Sequence, residues 1–75
     1  MNNDEFVKLS LEDQLNYVLD KGRYVDCREY KNQTLALYTV GKYLYEIWYR
    51  DADNRIVKVI EVKASDALVY YFEGI

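Results

Sequence analysis

The chain has no histidine and a single cysteine, Cys27. The commonest general base is therefore missing, and Cys27 has no imidazole to draw off its proton and make it a nucleophile. One cysteine also rules out an intramolecular disulfide and a structural zinc site built on cysteines. The stretch starting at Asp51, DADNRIVKVIEV, matches a calcium loop only at Asp51 and Asp53. Arg55 stands where the third ligand is needed, Ile56 where the turn requires glycine, and Val62 at the twelfth position. It reads as a hairpin turn. No glycine-rich phosphate loop or nucleophile elbow occurs. Carboxylate pairs are available among the thirteen acids, but no pattern marks one as buried against another, the condition that tunes such a pair for acid or base work. Catalysis, a metal and a cofactor are all unexpected.

What the chain does have is aromatic rings. GKYLYEIWYR, Gly41 to Arg50, sets Tyr43, Tyr45, Trp48 and Tyr49 among Leu44, Glu46 and Ile47, within a composition that is 16% aromatic and 51% hydrophobic. Such a chain folds, because disordered segments are poor in these residues. Its 75 residues suffice for one domain, 1–75, and no more. The net charge of −3 and pI of about 4.8 have the wrong sign for a protein whose affinity comes from neutralising phosphates, so nucleic acid is disfavoured as a partner. No apolar run approaches the ~18 residues of a membrane span, and the opening MNNDEFVKLSLEDQ is acidic, without the apolar stretch of a signal peptide. A cytoplasmic location is expected.

The elements follow from spacing. Residues 1–9 read as a loose lead-in. Ser10 is placed to cap a helix over Leu11 to Lys21, with Glu12 and Asp13 in its first turn and Leu11, Leu15, Val18 and Leu19 at helical spacing; Gly22 is read as a left-handed stop. The period then changes to two through RYVDCREY, TLALYTV, YLYEIWYR and RIVKVIEVK, four antiparallel strands. Gly41-Lys42 suits a tight hairpin turn, and residues 51–54 form the next. Alternation with Val25 makes Cys27 a buried structural residue. Ser65-Asp66 reads as a second cap, before Leu68, Tyr71, Phe72 and Ile75 on a short helix, with a fifth strand as the alternative. The fold expected is α+β: an N-terminal helix, a four-stranded antiparallel meander and a short C-terminal helix in two layers.

Pairing assigns the faces. A two-residue turn at Gly41-Lys42 sets Val40 opposite Tyr43, Tyr38 opposite Tyr45, Ala36 opposite Ile47 and Thr34 opposite Tyr49 on a first face, with Leu35 opposite Trp48 and Leu37 opposite Glu46 on the second. An even-numbered loop at 51–54 carries Ile56, Lys58, Ile60 and Val62 onto the first face and Val57, Val59 and Glu61 onto the second. Both helices are expected on the first face, burying Tyr45, Ile47 and Ile60 and leaving Glu46 in solvent. The second face then holds a patch of Leu35, Leu37, Leu44, Trp48, Val57 and Val59, rimmed by Glu46, Arg50, Arg55 and Glu61. Leu35, Leu37, Glu46, Trp48, Arg50, Arg55, Val57 and Val59 are the candidate interaction surface.

The function expected is a small non-catalytic protein-interaction module, a homodimer through the Trp48 face or a regulator that docks this face, or a free strand edge, onto another protein. The alternative is single-stranded nucleic acid stacked on exposed rings, which Glu46 and Glu61 among Arg50, Arg55, Lys58 and Lys63 oppose. An enzyme has the least in its favour.

Overall fold

The computed structural model describes residues 1–72, so Ile75 of the C-terminal reading lies outside the described residues. The chain is α+β. Helix α1 (Asn3–Phe6) and helix α2 (Leu11–Lys21) precede strands β1 (Arg23–Tyr30), β2 (Gln33–Val40), β3 (Tyr43–Arg50) and β4 (Arg55–Val62); helix α3 (Ala64–Ala67) then runs on into a wide π-type turn, Leu68–Phe72. The four strands form one open antiparallel sheet in chain order. No helix among the described residues is long and apolar enough to cross a membrane.

Helix α2 has the bounds its sequence implies. Ser10 accepts a hydrogen bond from the Asp13 amide at 3.1 Å, satisfying one of the free donors of the first turn. Gly22 closes the helix in an extended conformation, φ −96° and ψ 167°, rather than a left-handed one. Glycine is needed there for space, since a Cβ would lie 2.4 Å from the Val18 carbonyl oxygen. The lead-in is also more ordered than its composition suggests. Asn2 and Glu5 form a reciprocal capping box around α1, which drives Phe6 into the core with no exposed surface. Gln14 Nε2 donates to the Phe6 carbonyl at 3.0 Å and ties the first helix to the second.

The β2–β3 register is the expected one throughout, from Val40 opposite Tyr43 around a positive-φ Gly41 to Thr34 opposite Tyr49. The β3–β4 register departs from expectation at one residue. Arg55 pairs with Arg50 and Ile56 with Tyr49, but Lys58 pairs with Trp48, leaving Val57 as a bulge. One extra residue inverts every later side chain, because the strand period is two. Val59 therefore lies opposite Ile47 and is buried in the first-face core, while Lys58 and Ile60 lie opposite Trp48 and Glu46 on the second face. Ile60 is half-buried there and Glu61 belongs to the first face, both against the expectation.

Helices α1 and α2 cover the first face, where Phe6, Val18, Val40, Tyr45, Ile47 and Val59 form the core. Phe6 and Tyr45 are 4.7 Å apart between ring centroids, with the Tyr17 ring edge-on to Tyr45. The C-terminal segment lies over the other face instead of joining them. The arrangement is thus three layers deep, with the sheet in the middle. Cys27, opposite Ala36 on the outer strand β1, is exposed and not buried as its spacing implied. On this face of the edge strand, helices α1 and α2 do not reach Cys27.

Replacing Ile47 by Ala is expected to lower unfolding free energy by roughly 2–5 kcal/mol, whereas Val57→Ala, at an exposed bulge, is expected to change it by no more than about 0.5 kcal/mol. Urea denaturation of the two variants checks both values, and equal midpoints would contradict the burial of Ile47 and the exposure of Val57. The hydroxyl of Tyr45 is buried without a hydrogen-bond partner among the described residues. Tyr45→Phe is therefore expected to leave stability unchanged or to raise it by about 1 kcal/mol, measured in the same way.

Candidate functional site

Glu46 lies mid-strand in β3, opposite Leu37 on one side and Ile60 on the other, and is 2% exposed. The sequence reading put it in solvent. Solvent does not reach it because the C-terminal segment closes over this face, and a carboxylate so enclosed must be supplied with donors and a counter-charge. Three residues from three elements serve it. Trp48 Nε1 on the same strand donates to Oε1 at 3.2 Å, and the Tyr71 hydroxyl from the π turn donates to Oε2 at 2.7 Å. The Arg28 guanidinium from β1 brings Nε to within 3.5 Å of Oε2 as an ion pair.

Aromatic rings enclose this group. Arg28 Cζ lies 4.3 Å from the Tyr70 ring centroid, and Tyr71 and Tyr30 are at 5.6 and 5.8 Å. Tyr30 and Trp48 meet edge-on at 6.0 Å, and Lys58 Nζ sits 4.0 Å from the indole. Each cation on a ring face is favourable, more so where water is excluded. A cleft of about 460 Å3 opens beside the cluster, between Trp48, Tyr30, the end of β4 and the C-terminal segment, with Arg28, Ile60, Val62, Lys63 and Tyr70 in its walls.

The candidate surface residues separate into five groups. Leu35 and Leu37 are fully buried beside Glu46 on the second face. Trp48 is half-buried and lines the cleft. Val59 is on the opposite face and Val57 is the exposed bulge. Arg50 and Arg55 sit at the far turn, where both pair with Asp53, at 2.7 and 3.7 Å. The Arg50 hydrogen bonds hold the Asp53 carboxyl below the usual range. The eight residues therefore do not form one patch. Sequence reasoning missed Arg28, Tyr30, Tyr70 and Tyr71. The signal available was the alternation of Arg28 and Tyr30 on β1, which places both on the Trp48 face once Arg28 pairs with Leu35.

The expected cap at Ser65-Asp66 is also displaced: Lys63 occupies the cap position and makes no side-chain cap bond. With Ala67 as its one buried residue among Ala64–Phe72, the segment is held largely by the Tyr70 and Tyr71 contacts. No family model, no curated protein and no solved structure matches the chain.

Burial, followed by the hydrogen bond to Glu46, raises the Tyr71 phenol above its ordinary value of 10.0. Burial likewise pushes Tyr45 up to about 12. Both phenols keep their protons in the folded chain past the pH at which the unfolded chain loses them. Their contribution to stability is therefore complete below pH 10.0 and is lost as the pH rises through the folded values. Denaturant midpoints are expected to fall above that pH. Tyr71→Phe is expected to cost about 1–3 kcal/mol at neutral pH, since Glu46 loses a donor, and to make the alkaline fall shallower. A variant with the full wild-type fall would show that Tyr71 does not titrate against Glu46.

Proposed function

We propose that the protein is a small non-catalytic interaction module, acting in the cytoplasm, whose contact element is the C-terminal segment rather than the bare Trp48 face. The observation that carries this reading is the outer side of that segment. Leu68, Val69 and Phe72 are 51, 51 and 54% exposed, while Tyr71 beside them is fastened to Glu46. A turn of helix that is apolar on both sides ordinarily has both sides covered.

The strand edges are poorer candidates. Edge strand β1 carries a bulge at Val25 and edge strand β4 one at Val57, and charged residues such as Asp26, Glu29, Lys58 and Glu61 lie along them. Bulges and charges on edge strands discourage pairing with a second chain. Stacking of single-stranded nucleic acid also loses support, because Tyr45 is buried under the helices and Lys58 already occupies the Trp48 ring.

A patch of three half-exposed side chains amounts to roughly 300 Å2, well below the ~800 Å2 per partner of a standard stable interface. The partner is therefore a protein that receives the segment in an apolar groove, and the free chain is expected to sediment as a monomer at tens of micromolar. The double variant Leu68→Glu, Phe72→Glu should retain the wild-type circular dichroism spectrum, with a stability change within about 0.5 kcal/mol per site. Affinity capture from the native cell, with wild type and double variant as parallel baits, is expected to show partners held by the first and lost from the second. Identical sets on both baits would sink the proposal.

A further inference from the structure

The cleft beside Trp48 has a volume of about 460 Å3, within the range of small-molecule sites. Its apolar walls come from Tyr30, Trp48, Ile60 and Tyr70. Its polar wall is Arg28, and the bonding of Arg28 is incomplete. The side chain is only 22% exposed, and Nε, closed off from solvent, makes no hydrogen bond. Its one carboxylate neighbour, Glu46, already accepts from Trp48 and Tyr71. Apart from the Tyr71 hydroxyl beside it and the Glu46 ion pair, no acceptor among the described residues serves this guanidinium. It is nevertheless held in place, stacked at 4.3 Å on Tyr70 and steered by Glu46 at 3.5 Å. A guanidinium that is oriented, partly desolvated and short of acceptors is prepared for a planar oxyanion, which it can bind with two parallel hydrogen bonds.

The surrounding charges restrict which oxyanion fits. Lys63 lines the same cleft and Lys58 sits on the indole, adding positive potential. Glu46, paired with Arg28, lines it as well, as do Glu61 and Asp66, which form no ion pair among the described residues. A dianion such as phosphate would be repelled by Glu46 and Asp66, whereas a single carboxylate meets the Arg28 fork at lower cost. The aromatic walls favour a flat apolar body behind that carboxylate. We infer that the cleft is a binding site for a small monocarboxylate carried on an aromatic or similarly flat apolar group, with Arg28 as the anion-recognising residue and Tyr30, Trp48 and Tyr70 as the walls. This site is separate from the outward Leu68, Val69 and Phe72 patch and does not depend on the interaction reading.

The chain has one tryptophan, so its indole N–H gives a single resolved signal in a nitrogen-15 correlation spectrum and reports directly on the cleft. The full chain is titrated with 3-phenylpropionate, its neutral amide, 2-phenylethylammonium and inorganic phosphate. The carboxylate is expected to shift the indole signal saturably, with half-saturation near or below about 1 mM. The amide is expected to bind about 10- to 100-fold more weakly, as befits loss of a charge-assisted hydrogen bond, and phosphate and the ammonium ion not to saturate. Arg28→Lys, which keeps the charge and removes the fork, should lose a similar factor. If that variant does not fold, the wild-type comparison of carboxylate with amide decides alone. Equal binding of the amide, tighter binding of the ammonium ion, saturable binding of phosphate or no saturation by the carboxylate would each overturn the assignment.

Discussion

A carboxylate buried in the middle of a sheet is the condition on which the C-terminal half of this structure depends. Moving an ionised carboxyl out of water costs several kcal/mol unless donors and a counter-charge accompany it. Here the donors are Trp48 and Tyr71 and the counter-charge is Arg28, contributed by β3, the π turn and β1. None of the three alone accounts for the burial. Trp48 is two residues away on the same strand, but Tyr71 reaches Glu46 only if the chain turns back after β4, and Arg28 only if β1 pairs beside β2 in its observed register. The hydrogen bond that satisfies Glu46 is the same one that fastens the C-terminal segment over Leu35 and Leu37.

The sheet beneath is shaped by its two bulges. Without the extra residue at Val57, Val59 would point away from Ile47 and the first-face core would lose a buried side chain. The same bulge brings Ile60 and Lys58 to the Trp48 face, where they wall the cleft and cover the indole. The bulge at Val25 brings Tyr24 opposite Tyr38, while Asp26 and Arg28 keep the places opposite Leu37 and Leu35 that the β1–β2 turn sets. Both bulges lie on edge strands, so each adjusts a face while making its edge a poor template for a further strand.

A 75-residue chain with layers on both sides of its sheet divides its apolar residues between two thin cores. The first is closed by Phe6, whose position depends on the capping box of α1, and by Val18 from α2. The second has Leu35, Leu37 and Ala67 as its fully buried apolar residues among those described, with Ile60 half-buried beside them, and is held as well by hydrogen bonds, an ion pair and cation–ring contacts. In the second core Tyr71 packs its ring and donates its hydroxyl to Glu46, whereas in the first the Tyr45 ring packs and its hydroxyl has no partner among the described residues.

Local chemistry was sufficient for much of this. The Ser10 cap, the helical spacing of Leu15 and Val18, the period-two strands and the Gly41 turn each act within a few residues, so the bounds of α2 and the whole β2–β3 register were legible in the sequence. Tertiary structure alone decided which layer each helix joins, where the bulges fall and whether Glu46 meets water. Alternation identifies two faces but does not say what covers them, and it carries no mark of an inserted residue such as Val57. The burial of Glu46 rests on Arg28, 18 positions earlier, and Tyr71, 25 positions later. Separations of that length leave no periodicity in a chain, and only folding brings the three groups together.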